Sequence, residues 1–178
     1  MIKRIMCVAS GPSLTEEDYL LLASKSNLVI SANNAMFSSR PPNIVYGFDP
    51  IWWEYNYDNI PSTCSKYSHL PVENHPDVKQ FFYLNSCYNS GAQAIFLASV
   101  FAPKEIVLLG YDCDISEGSH FHGDHIGKLT NPDLETVAKW MEDYYLVKKY
   151  LPDSIAVINC TRRTKITCFE RLSIEDLL

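Results

Sequence analysis

Ile5-Met6-Cys7-Val8-Ala9-Ser10-Gly11-Pro12-Ser13-Leu14 is an apolar run that breaks at a glycine and is followed by a helix signal. Thr15 suits an N-cap, and Glu16-Glu17 complement the positive end of a helix dipole. A buried strand ending in glycine at the start of a helix is how open α/β sheets present backbone N–H groups to phosphate. The segment therefore points to a nucleotide or another anion beyond the carboxyl end of the first strand. The plainer alternative is that Gly11-Pro12 is only a strand-to-helix turn.

The rest of the chain alternates in the same way. Tyr19, Leu20, Leu22 and Ala23 give the first helix an apolar face, and Leu28–Ser31 and Asn43–Gly47 read as strands. Short strands are expected over 66–70 and 80–84, a helix over 90–101, and a continuous apolar strand over 106–109. A polar loop with three histidines spans 112–132, the longest helix covers 133–150, and a last central strand covers 155–158. The pattern implies a single domain over residues 1–178, with one doubly wound, mainly parallel sheet and helices on both faces.

The 178 residues, 47% of them hydrophobic, suffice for one well-buried domain. A net charge of −6 argues against nucleic acid backbones as partners. No apolar run approaches the ~20 residues of a membrane helix, and Met1-Ile2-Lys3-Arg4 leads directly into a strand. Six cysteines in no metal or disulfide spacing read as reduced thiols of a cytoplasmic protein.

In a doubly wound sheet, ligands sit beyond the carboxyl ends of the strands. Gly11-Pro12-Ser13, Asn33-Asn34, Asp49, Ser90-Gly91, Asp112 and the histidine loop all fall there. Asn33-Asn34 reads either as a reader of a base edge or ribose hydroxyl, or as a turn that tolerates unusual backbone angles. Asn89-Ser90-Gly91 reads as a helix start that admits an anion, or as simple capping and close packing. Ser119-His120-Phe121-His122-Gly123-Asp124-His125 reads as a general base with helpers, a metal site, or a solvated loop. If a metal such as Mg²⁺ or Zn²⁺ is bound, Asp112, Asp114, His120, His122 and His125 are its candidate ligands. Trp52-Trp53 with Tyr55 and Tyr57 reads as a stacking surface for a base or sugar ring, or as satellite core or an oligomer contact, and Lys148-Lys149 as a helix C-terminal pair. Arg162-Arg163 is a secondary phosphate candidate.

The order of these motifs resembles the bacterial lipooligosaccharide sialyltransferases. The resemblance is carried by Val8–Leu14, Ser31-Ala32-Asn33-Asn34, Asn89-Ser90-Gly91, Lys104–Asp112 and Ser119-His120-Phe121. Val157–Thr161 and Phe169–Ser173 look closer to a related group of motility-associated glycosyltransferase-like proteins, an archaeal-type pterin pyrophosphokinase and short phage-encoded proteins. The resemblance implies a Rossmann-like, sialyltransferase-like fold and a CMP-sugar donor. Gly11, Pro12 and Ser13 would lie on the phosphate and ribose side, Asn33 and Asn34 on the nucleotide, and Ser90 and Gly91 on the phosphate or base. His120 falls at the family's general base, and no metal cofactor is required. A glycan or small-molecule hydroxyl is the implied acceptor, and symmetric homo-oligomers are common in the family.

The residues depart from that pattern in a short 112–120 segment, in three histidines where the family has one, and in lacking an evident tyrosine pair in the lid-like loop. The expected roles are His120 as base, His122 and His125 as helpers or phosphate contacts, and Asp112 as orienter. Two alternatives stand beside this. One is Mg²⁺-dependent diphosphate transfer through Asp112, Asp114 and Asp49; the other is a non-catalytic nucleotide binder of phage origin.

Overall fold

The computed structural model describes residues 2–125 and 129–178. The lid-like loop expected over 112–132 therefore includes three positions, 126–128, that lie outside the described residues. In chain order the elements are β1 (Arg4–Val8), α1 (Glu16–Ser24), β2 (Leu28–Ala32), β3 (Ile44–Gly47), α2 (Pro50–Asn56), β4 (Ser65–Ser68) and β5 (Lys79–Gln80). They continue with α3 (Ser90–Val100), β6 (Glu105–Leu109), α4 (Leu134–Tyr150), β7 (Ala156–Asn159), β8 (Glu170–Arg171) and α5 (Ile174–Leu177). The eight strands form one sheet in the order β5-β4-β3-β2-β1-β6-β7-β8, and every pairing is parallel. The expected α/β sheet is thus wholly rather than mainly parallel.

Burial on both faces explains why the central strands are continuous apolar runs. Ile5 and Cys7 of β1, with Ile106 and Leu108 of β6, pack beneath α3 and α4. Met6, Val8, Val107 and Leu109 point to the opposite face, where Tyr19 and Leu22 of α1 and Ile174 of α5 cover them. α3 is buried from Gly91 through Ala98, so it reads as a core helix rather than an amphipathic one. The helices start where side chains cap them: Thr15, Asn89, Asp133 and Ser173 each accept an N–H from the first turn. Among the described residues, no helix is long and apolar enough to cross a membrane.

Four elements differ from expectation. The strand expected over 80–84 stops at Gln80, because the side chain of Gln93 on α3 captures the backbone beyond it. Its Oε1 accepts the Tyr83 N–H at 3.1 Å, and its Nε2 donates to the carbonyls of Leu84 and Cys87 at 2.9 Å each. Residues 50–56 form a helix, with Pro50 at its start and Asp49 as its cap. Trp52 and Trp53 of that helix are buried with Val45, Ile60 and Val72 in a satellite cluster. The two-residue strand β8 and the short helix α5 carry too few residues to show a period.

Gln93 is fully buried and supplies partners to three backbone groups. Gln93→Leu, of similar size, is expected to lower stability to urea by about 3 kcal/mol through those unpaired groups. A loss under 1 kcal/mol would show that the loop finds other partners.

Candidate functional site

The chain runs outward from β1 to β5 on one side and returns from β6 to β8 on the other, so the strand order reverses between β1 and β6. A crevice opens at such a switch point, beyond the carboxyl ends of the strands. A cavity of about 320 Å³ lies there, walled by the segments that follow β1, β2, β3 and β6 and by the start of α3. Gly11, Pro12, Asn33, Asp49, Ser90, Gly91, Asp112, Asp114, His120 and His125 all line it. Ser13, Asn34 and His122 do not.

Ser13 is turned to a different task. Its N–H donates to Oδ2 of Asp112 at 2.9 Å, and its hydroxyl donates to Oδ1 at 2.8 Å. The donors expected to meet a phosphate at the first turn thus hold the protein's own carboxylate. Burial pushes the Asp112 carboxyl up from its ordinary range, and the two Ser13 hydrogen bonds oppose that shift. Gly11 is needed for the same contact: a Cβ there would stand 2.1 Å from Asp112 Oδ1 and 2.5 Å from the Gly110 carbonyl.

Across the crevice, Asn33 follows β2 with φ +52°, a conformation asparagine tolerates better than most residues. Its Oδ1 accepts from the Ser90 hydroxyl at 3.1 Å, and Ser90 Oγ in turn accepts the Phe48 N–H at 3.1 Å. This chain ties the ends of β2 and β3 to the first residue of α3. Gly91 lines the cavity at the α3 start and is closely packed, since a Cβ on it would crowd the Tyr144 hydroxyl and the Asn89 side chain. Asn34 instead accepts from Trp52 Nε1 at 2.6 Å and donates to Asn56 Oδ1 at 2.9 Å, so it anchors α2. Asp49 lines the cavity while its Oδ1 accepts the Ile51 N–H at 2.8 Å.

The histidine loop is fastened to β1 through Ser10: the Phe121 N–H donates to the Ser10 carbonyl at 3.0 Å. The Ser10 hydroxyl lies 3.0 Å from His120 Nδ1. His120 Nε2 is buried and has no hydrogen-bond partner among the described residues. The rings of His120, His122 and His125 are packed together, with centroids 4.4–5.5 Å apart. Burial and the neighbouring imidazoles push the His120 pKa down to about 4, and burial lowers His122 and His125 as well. All three rings are therefore neutral at pH 7.

Both Asp112 oxygens are engaged by Ser13, Asp114 accepts the Ser116 N–H at 3.0 Å, and the His120 and His122 planes are stacked within 11°. Among the described residues, no group of three His, Cys, Asp or Glu side chains is placed to hold a metal ion.

Several cavity residues gave no local signal. Ser10, Tyr88, Trp140 and Tyr144 line the wall, and Tyr88 is 66% exposed at its mouth. The Tyr88 loop is tethered to α4 by one oxygen of Asp143, which accepts the N–H groups of Tyr88 and Asn89 at 3.2 and 3.0 Å. Burial raises the Asp143 pKa to about 6 against these hydrogen bonds. Arg162 lies away from the cavity and forks onto Asp18 at 2.6 and 2.7 Å, while Arg163 pairs with Glu117.

No protein-family model matches the chain, and no curated protein matches it. Among solved structures, it is similar to the MAf glycosyltransferase from Magnetospirillum magneticum AMB-1, with a TM-score of 0.63 at 13% identity. The similarity covers 100% of this chain and 34% of that one, so this chain spans about a third of its length. At that identity the likeness bears on the fold alone, an α/β parallel sheet.

Two outcomes follow from this geometry. Gly11→Ala should lower stability to urea by about 2–3 kcal/mol, because the new methyl must displace Asp112 or the Gly110 carbonyl; an unchanged midpoint would contradict the contact. Asp143 titrates near 6 in the folded chain and near 3.8 when unfolded. The folded chain then holds a proton that the unfolded chain releases, so stability from this group falls as pH rises through that window and is flat above it. Relative to Asp143→Asn, the wild type should lose on the order of 2–3 kcal/mol between pH 4 and 6. A difference independent of pH would contradict the assignment.

Proposed function

We propose that this chain is a nucleotide-sugar-dependent glycosyltransferase of sialyltransferase-like type, with a CMP-sugar held in the cavity between β1, β6 and α3. The observation that carries the reading is the convergence of ten predicted residues, from five separate segments, on one cavity at the sheet's switch point. A concave cleft with a few convergent polar groups is the common form of a small-molecule site.

In this reading the start of α3 receives the donor phosphate, where the Ser90 and Gly91 N–H groups and the helix dipole favour negative charge. Asn33, held by Ser90, faces the nucleoside. The β1–α1 turn contributes Gly11 and Pro12 as a smooth wall, and Asp112 acts on Ser13 and the turn rather than on the donor. His120 supplies the basic group near the reacting centre, with His125 beside it on the wall. His122 supports His120 by stacking, without lining the cavity. The acceptor is a hydroxyl of a glycan or small molecule that enters past Tyr88. The proposed transfer needs no metal: the carboxylates of Asp112, Asp114 and Asp49 are held by Ser13 and by backbone N–H groups. For the same reason Mg²⁺-dependent diphosphate transfer through Asp112, Asp114 and Asp49 is the weaker reading.

The test is thermal unfolding with CMP, UDP, GDP and ATP, each with and without Mg²⁺. CMP at a hundredfold its Kd should add about 2.7 kcal/mol, a rise of about 5–10 °C, with or without Mg²⁺. A shift from ATP alone, and only with Mg²⁺, would favour diphosphate transfer. No shift from any nucleotide would overturn the reading.

A further inference from the structure

The imidazole of His120 reaches the cavity in a particular way. One ring nitrogen, Nε2, is buried and has no hydrogen-bond partner among the described residues, while the other, Nδ1, stands 3.0 Å from the Ser10 hydroxyl. Ser10 lines the cavity at the carboxyl end of β1, on the reversal point of the sheet. Its carbonyl holds the Phe121 N–H, which fixes the histidine beside the hydroxyl. The rings of His122 and His125, at 5.1 and 4.4 Å, pack His120 in place. A substrate in the cavity therefore meets a serine hydroxyl backed by an imidazole. A separation of 2.6–3.2 Å is the reach of a base that activates a nucleophile.

We propose that Ser10 and His120 form a nucleophile–base pair, in which the Ser10 oxygen attacks the electrophilic centre of a phosphate-activated substrate and His120 Nδ1 takes its proton. The identity of the transferred group rests on the glycosyl-transfer reading; the pair itself does not. With a nucleotide-sugar, Ser10 Oγ bonds to the anomeric carbon as the bond from that carbon to the phosphate oxygen breaks. The nucleotide departs with the electron pair, and the hydroxyl proton moves to His120. The acceptor oxygen then attacks the same carbon and the bond to Ser10 breaks. Ser10 recovers its proton from His120, and the acceptor's proton passes to solvent. Two displacements at one carbon retain its configuration, whereas direct attack by the acceptor would invert it.

The test uses diisopropyl fluorophosphate on the intact chain, because it reports an activated serine without any nucleotide. The serine oxygen bonds to phosphorus as the P–F bond breaks and fluoride leaves. Peptide mass spectrometry should find the adduct on Ser10; Ser10→Ala should abolish it, and His120→Gln should slow it by about a hundredfold. No adduct on Ser10, or an equal rate in a folded His120→Gln, would overturn the pair. A second measurement needs no variant: ¹⁵N NMR should show the His120 proton on Nε2 and a lone pair on Nδ1, and the opposite tautomer would overturn it. Labelling of Ser10 in a chain that binds no nucleotide would support the pair and defeat the donor assignment. CMP binding without labelling would do the reverse.

Discussion

The structure turns on one carboxylate. Asp112, at the end of β6, is gripped by the N–H and hydroxyl of Ser13 in the turn after β1. These two strands flank the point where the sheet reverses, so the contact joins the two halves of the fold at the floor of the crevice. It also fixes what the neighbouring residues must be. Gly11 has no side chain because the carboxylate fills that space, and Asp112 stays buried because Ser13 satisfies both of its oxygens. A lone buried carboxylate would be costly, and the two donors from Ser13 offset part of that cost.

From that floor the two walls differ in character. On the α3 side, Ser90, Asn33 and Phe48 form a chain of hydrogen bonds that ends at a helix start, a neutral wall with donors left for an anion. On the histidine side, three rings share a crowded, partly desolvated loop, and each is less basic than free histidine. Donors for a phosphate on one wall and unprotonated bases on the other suit group transfer from a phosphorylated donor. The acidic net charge does not oppose this reading, because in it the anion is met locally by oriented N–H groups.

The fold was legible where burial is two-sided. β1 and β6 are unbroken apolar runs because both of their faces are covered, and α3 and α4 announce themselves through Asn89 and Asp133 as caps. α2 was not legible, because seven residues with adjacent tryptophans show no helical period and Asp49 reads equally as ligand or cap. The strand expected over 80–84 failed because a side chain from α3, distant in its own element, claims that backbone. The site was legible as a set of strand ends, since topology alone sends them to one edge. Its partnerships were not. Ser13 meets Asp112 across 99 positions and Ser10 meets His120 across 110, and no local pattern encodes such pairs. Tyr88 and Trp140, which complete the wall, look in sequence like ordinary aromatic residues.

The central claim is that the crevice between β1, β6 and the start of α3 is where a phosphorylated nucleotide binds. The most direct measurement is a backbone amide NMR titration of the intact chain with CMP. The account expects the largest shift changes at Ser10, Gly11, Asn33, Ser90, Gly91 and His120. Changes confined to the smaller cavity around Arg162 and Arg171, or spread over the surface without saturation, would contradict it.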